Sequence, residues 1–520
     1  MFNVKRTLSL GLAVGLIMAV AAGCGGNEAK LSEAERALLK DNDKSQTTAS
    51  VRTDLRLAIQ TAPRTLQPEM PHDLSEKAVL DQLYEGLVNW RNNRIRLQQA
   101  ETIEPAEDGK VWHVKLRPDL KWSDGSKLTA DDYRRSWLKH LTTAGAEAYR
   151  GFVIEKAAEY SRGEVAAEAV GLQAAGDILT ITLTQPQTNF PAWLTQDFFF
   201  PTKEGADGKP LYNGAYVLEG QEKDALTLKA NPAYWDFANV WLKNVHIAVI
   251  PDEVQAYEAY HAGNIDFIGD PFYTIGKDRR QAALSSPEKL SFSVARLGYV
   301  KLNNFTHKLF ATENKRQALY DLTDAPFQAD VILKDGSTPW PQRKTPTQAM
   351  RTEIAAQLTG DLSKQELEDL KEEFTVGLGG PTILENRLLV GVSKDWLNAV
   401  KIKFRLIRVP DSAKVPDFEY TTELAPNGDI DGLLRLWDLR GCLKLDSTAK
   451  AAVWADGDQK AAQAATLETV WQHLAGKSGI LPLTTRNALV LARPHLVGVS
   501  VDTTGKMLLS DLQWRAAVPR

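Results

Sequence analysis

Cys24 stands directly behind Ala21-Ala22-Gly23, at the end of a segment that is first basic and then apolar, and that order constrains everything downstream. Lys5 and Arg6 supply the charged start, and residues 7–22 (TLSLGLAVGLIMAVAA) form an unbroken apolar or small run. This run is shorter than the roughly 20 residues a helix needs to cross a bilayer. Residues 1–23 therefore read as an export signal, removed to leave Cys24 as a lipidated N-terminus, because several acyl chains are what stable anchoring requires. The alternative is an ordinary secretory signal, or a short anchor, with Cys24 as a bystander. Either way the body folds outside the cytoplasm. Cys442 is the only other cysteine, so no disulfide within the mature chain is expected.

Burial must then hold the fold, and the chain has the means. Nearly 500 residues remain, 43% of the sequence is hydrophobic, and two or three domains are expected. With 62 basic against 66 acidic residues and no long basic block, nucleic acid is excluded as the main partner. Residues 25–50 contain no aromatic side chain and are rich in charged and small polar ones, so 24–51 reads as a tether.

Beyond it, strand and helix patterns alternate. Residues 111–117 (VWHVKLR) and 178–184 (ILTITLT) have the period-2 pattern of half-buried strands. Residues 76–88 place Leu80, Leu83, Tyr84 and Leu87 on one helical stripe, and 252–262 begin at an Asp252 cap and stop at Gly263. Residues 363–374 read as a helix opened by a capping box from Ser363 to Glu366. Such an order suggests βα units in an α/β fold with mixed sheets.

The motifs of catalysis are missing. There is no HExxH, no GxSxG and no paired CxxC, and the eight histidines do not cluster at metal-ligand spacing, so neither metal nor cofactor is expected. Ala475-Gly476-Lys477-Ser478 has the ending of a phosphate-binding loop, but Trp471 stands where that loop needs glycine and the preceding residues look helical. Cys442 is either a nucleophile or, as lone cysteines more often are, a small hydrophobe.

Short runs spread along the chain carry a resemblance. They are Thr65-Leu66-Gln67-Pro68, Leu83-Tyr84-Glu85-Gly86-Leu87, Leu116-Arg117, Lys121-Trp122-Ser123-Asp124-Gly125, Leu128-Thr129-Ala130-Asp131-Asp132-Tyr133, Asn213-Gly214-Ala215-Tyr216, Asn231-Pro232-Ala233-Tyr234-Trp235-Asp236, Gly263-Asn264-Ile265-Asp266, Asn303-Asn304 and Arg316-Gln317-Ala318-Leu319. Together they resemble the solute-binding proteins of peptide-type ABC importers, the oligopeptide and dipeptide group, over about residues 52–335 and again over 465–515. Most of these residues read as scaffold rather than as ligand contacts.

The resemblance implies a two-lobed α/β receptor of the periplasmic-binding-protein type with an extra peripheral domain and a hinge between the lobes. Lobe one would comprise 52–85, 205–295 and 486–520, the inserted peripheral domain 86–204, and lobe two 296–485. Its partners would be a membrane ABC permease, a short peptide or other small polar ligand, and the bilayer through the Cys24 anchor; a monomer is expected. Extended peptides would be held by their backbones, as in strand addition.

Lobe two departs from the pattern. Residues 386–409 leave little room for the long helix the resemblance expects between two strands, so lobe two is expected to be abbreviated. In 430–441 (IDGLLRLWDLRG) the resemblance expects the end of a strand with a Trp and then an acidic residue that receives a peptide amine. Trp437 fits the Trp, either as a wall of the cleft or as lobe-two core, and Arg440 falls at the acidic position unless a two-residue slip restores Asp438. Lys301 stands at a second acidic position. Both cations would face a ligand anion, or else they are solvated or paired at the rim. Pro71, His72, Tyr149 and Tyr273 complete the expected ligand-facing set. A degenerate member acting as a surface interaction or signalling lipoprotein is the alternative from another class, and an enzyme on this scaffold a distant third.

Overall fold

The computed structural model describes residues 52–515 except 71–72, 92–93, 107–108, 304, 306–308, 335, 361–362, 364–373, 379–382, 401–403, 409–415, 427 and 456. The export segment, Cys24, the tether and most of the expected 363–374 helix thus lie outside the described residues. Phe374 belongs to a strand instead.

Among the described residues ten strands form the main sheet: β1 (Asp54–Ile59), β2 (Tyr216–Gln221), β3 (Ala225–Ala230), β4 (Asn244–Val249), β5 (Phe267–Gly269), β6 (Lys289–Leu302), β7 (Phe374–Leu378), β8 (Phe404–Arg408), β9 (Phe418–Leu424) and β10 (Ile480–Ala492). Their spatial order is β2-β3-β4-β1-β5-β10-β6-β9-β7-β8. Parallel and antiparallel pairs are mixed: β1 runs parallel to β4, whereas β6 runs antiparallel to β10 from Lys289↔Leu491 to Lys301↔Ile480. The first half of β6 has β10 alone beside it, and from Arg296 onward it also carries β9. Gly298 belongs at this crossing because a Cβ there would lie 2.0 Å from the Tyr420 hydroxyl oxygen.

The architecture is two-lobed, with separate cores behind the two ends of the sheet, one around Leu57, Ile247 and Val490 and another around Leu319, Trp396 and Leu481. A second sheet of four strands, ordered Ala100–Pro105, Val111–Leu116, Ile178–Thr182 and Leu172–Ala175, is covered by the helix Ala130–Thr143. The expected alternation holds there: Trp112, Val114 and Leu116 are buried while His113 and Lys115 face solvent.

The scattered runs find one another in space. Tyr234 Oη and Trp235 Nε1 each donate to the Glu85 carboxylate at 2.6 Å, and Asn213 bonds both the N–H and the C=O of Glu85. Asn231 Nδ2 donates to Gly214 O at 3.0 Å, and Asp266 takes both Arg52 and Arg56. These contacts explain why the helix expected over 76–88 is shorter, Leu74–Leu83: Tyr84 turns extended and frees Glu85 for the bonds that join its neighbours.

Two expectations are corrected. An 18-residue helix, Ile383–Val400, stands between β7 and β8 where little room was expected. Its buried Leu388, Val392, Trp396 and Val400 recur every four residues, a helical period hidden inside a generally apolar run. Residues 430–441 do not end a strand. They hold the helix Gly432–Leu439, and the strand is β9, ended before Pro426, which has no N–H to continue a ladder. Among the described residues no helix is long and apolar enough to cross a membrane.

Candidate ligand-binding site

A cavity of about 420 Å³ lies between β9 with Ala425-Pro426, the segment Gln60-Thr61 after β1, and the first turn of the helix Leu74–Leu83. That volume is within the range of small-ligand sites. Arg150, Gln196 and Asp197, from the region that carries the four-stranded sheet, also line it. β9 pairs with β6 along its whole length, but with β7 only at Phe418 and Glu419. From Thr421 to Leu424 it therefore presents a strand edge with no neighbouring strand among the described residues, and this stretch lines the cavity.

Among the described residues the walls carry four cations and four carboxylates, most already matched. Lys77 lies 3.3 Å from Asp81 and 3.4 Å from Asp197; burial opposes its charge, but the two carboxylates prevail and raise its pKa. Arg150 holds Glu147 at 2.8 Å and Asp197 at 3.5 Å, and Lys506 holds Asp81 at 2.9 Å. Glu423 receives three donors: Tyr299 Oη at 2.9 Å, Trp437 Nε1 at 2.8 Å and Arg440 Nη2 at 2.8 Å. Arg440 also donates to the Tyr149 hydroxyl and stacks over that ring at 4.7 Å. Burial opposes the Arg440 charge too, and Glu423 outweighs it, so the guanidinium stays protonated.

The predicted residues are only partly brought together. Tyr149 and Arg440 meet at Glu423, on the cavity margin. Trp437 is 1% exposed and lies in the core against Tyr299 and Trp471, not on the cavity wall. Its helix turns it inward, the correction that follows from the misplaced strand. Asp438 does not line the cavity; it accepts from Trp454 Nε1 at 2.7 Å and pairs with Lys450 at 3.5 Å. Lys301 is exposed on β6 opposite Glu419 and does not line the cavity. Tyr273 is fully buried, its hydroxyl on Ile250 O. Pro71 and His72 lie outside the described residues, between the cavity-lining Met70 and Asp73. Cys442 packs half-buried against the core that holds Trp437. Among the described residues no cluster of His, Cys, Asp or Glu is arranged to hold a metal ion.

Sequence reading missed Glu423, Asp197, Gln196 and Arg296. The signal for Glu423 was present: FEYTTEL is a β-rich run bounded by Pro416 and Pro426, and locating the strand there would have moved the site from 437–440 to 421–424.

Residues 94–352 match the sequence pattern of the bacterial extracellular solute-binding proteins, family 5 (middle part). A probable deoxycholate-binding periplasmic protein, YgiS of Escherichia coli K12, is 30% identical over 52% of this chain and 53% of its own length. The dipeptide-binding protein DppE of Bacillus subtilis is 26% identical over 51% and 50%. The chain thus spans about half the length of the curated relatives it matches. The structure of the Escherichia coli murein tripeptide binding protein MppA superimposes with a TM-score of 0.78 at 20% identity, covering 90% of this chain and 99% of that one. Against an unliganded open form of MppA, at the same identity and coverage, the TM-score is 0.61.

Proposed function

Because the chain belongs to the bacterial extracellular solute-binding proteins of family 5, we propose that it is the capture component of an ABC importer, taking short peptides or a related small polar ligand between two lobes and handing them to a membrane permease. The observation that carries this reading is the open edge of β9 along the cavity. An extended ligand laid there adds as a strand, its backbone bonding to Thr421–Leu424 while its side chains reach into solvent-filled space. No covalent step is involved, and the protein acts as a monomer. Lobe one is proposed to comprise 52–85, 205–295 and 486–520, the peripheral domain 86–204, and lobe two 296–485. Lipidated Cys24 holds the body at the outer face of the membrane.

One observation favours a second reading, a surface protein without cargo: Lys77, Arg150 and Asp197 already satisfy one another and need no ligand charge. The test is direct. The full chain, purified in detergent, is offered a pool of random tripeptides and, separately, deoxycholate, with bound species identified by mass spectrometry and followed by thermal shift. Retained tripeptides are the expected result; a folded protein that retains neither is the surface protein. For the anchor, Cys24→Ser should be released or stay as an uncleaved precursor, and wild-type processing with membrane retention would refute lipidation.

A further inference from the structure

Arg296 occupies the point where β6 first acquires β9 as a neighbour, directly after a register shift from Ser293. An irregularity of this kind re-aims a side chain. The residue lines the cavity and is 4% exposed. Its Nη1 donates to Asp270 at 3.3 Å, and Asp270 is shared with the N–H of Leu489 at 3.1 Å. Among the described residues Nε–H and Nη2–H have no acceptor. Those two groups form one edge of the guanidinium, the edge whose spacing matches the two oxygens of a carboxylate. Leaving both donors buried and unpaired disfavours the fold unless something supplies the oxygens. The other cavity-lining cations, Lys77, Arg150 and Lys506, each hold a carboxylate of this chain. Gln196 repeats the pattern in the opposite sense: it lines the cavity, is 6% exposed, and its Oε1 has no donor among the described residues.

Resting on the binding reading above, we propose that Arg296 sets ligand specificity by gripping a carboxylate on its Nε–Nη2 edge, with Gln196 Oε1 accepting an N–H of the same molecule. Solvent does not reach the edge in the present arrangement. The guanidinium therefore has to turn this edge toward the cavity for a carboxylate to reach it, a movement that parting of the lobes would allow.

Two tripeptide pools, one of free acids and one of C-terminal amides, are offered to the full chain, and the best-retained member is titrated in both forms by calorimetry. The acid should bind about ten- to a hundredfold more tightly than its amide, the range of charge-assisted hydrogen bonds. Arg296→Gln should erase that preference, and Arg296→Lys, which keeps the charge without the edge, should retain only part of it; circular dichroism melting checks that each is folded. Equal binding of acid and amide by the wild type overturns the proposal without any variant needing to fold, as does a preference that survives in Arg296→Gln. Absence of binding from both pools overturns the peptide reading itself, and this proposal with it.

Discussion

Glu85 shows how far a single residue could be read. Its run, Leu83-Tyr84-Glu85-Gly86-Leu87, was informative as a mark of resemblance, yet nothing in one sequence reveals that the partners of its carboxylate are Tyr234 and Trp235, about 150 positions away. Arg440 is a similar case. Its charge is plain in the sequence, whereas its neutralisation by Glu423 depends on how a strand and a helix meet. Burial raises the Glu85 carboxyl from 4.5 to about 7, and the bonds from Tyr234 and Trp235 only partly oppose this. Between those values the folded protein keeps a proton that the unfolded chain has released. The contribution of Glu85 is thus fully present below pH 4.5, declines as pH rises through the window, and levels off above about 7. Urea titrations of wild type and Glu85→Gln should therefore diverge with rising pH, the variant being spared about 1–3 kcal/mol of the decline after allowance for partial exposure. Parallel pH profiles would show that Glu85 titrates normally.

Elements were legible where apolar spacing was unambiguous. The strands at 111–116 and 178–182 and the Asp252-capped helix Glu253–His261 match their patterns, since alternation and capping are local effects. The helix Ile383–Val400 was missed because its four-residue stripe is embedded among other apolar side chains, where period alone does not separate strand from helix. The helix Gly432–Leu439 has its own stripe of Leu433, Leu436 and Trp437, which the strand expected from the resemblance conceals. Trp437 anchors that helix. Trp437→Ala should lower stability by about 3–5 kcal/mol, read from the denaturant midpoint, and should also loosen Glu423 by removing one of its three donors. A midpoint within about 1 kcal/mol of wild type would mean that this side chain is not core.

For the molecule as a whole, the two-lobed class was legible, because the order of runs matched a known scheme, but the seal between its parts was not. Tyr149 and Trp193 precede β9 and the helix Gly432–Leu439 by more than two hundred residues, yet Arg440 bridges Tyr149 to Glu423, Thr195 Oγ1 donates to Pro426 O at 3.1 Å, and Trp193 stacks on Trp454 at 6.3 Å. These contacts join the two walls on one side of the cavity. Arg440→Ala should let the unliganded protein part: its radius of gyration in small-angle scattering should rise, and, on the proposed reading, ligand affinity should fall in proportion to the closed fraction. Unchanged scattering would place closure elsewhere.

The strands β6 and β10 are joined by eleven register pairs, interrupted by two shifts, and they run from one core to the other. A ladder of that length resists sliding, because slippage breaks every rung together, whereas bending out of the sheet plane stretches none of them much. The connection therefore acts as a flexure with one compliant direction. On the proposed reading, the two jaws tilt without sliding sideways, so closure would return Gln60 and Thr61 to the same stretch of β9, and the alignment offered to a ligand would be set by the backbone before any side chain touches it.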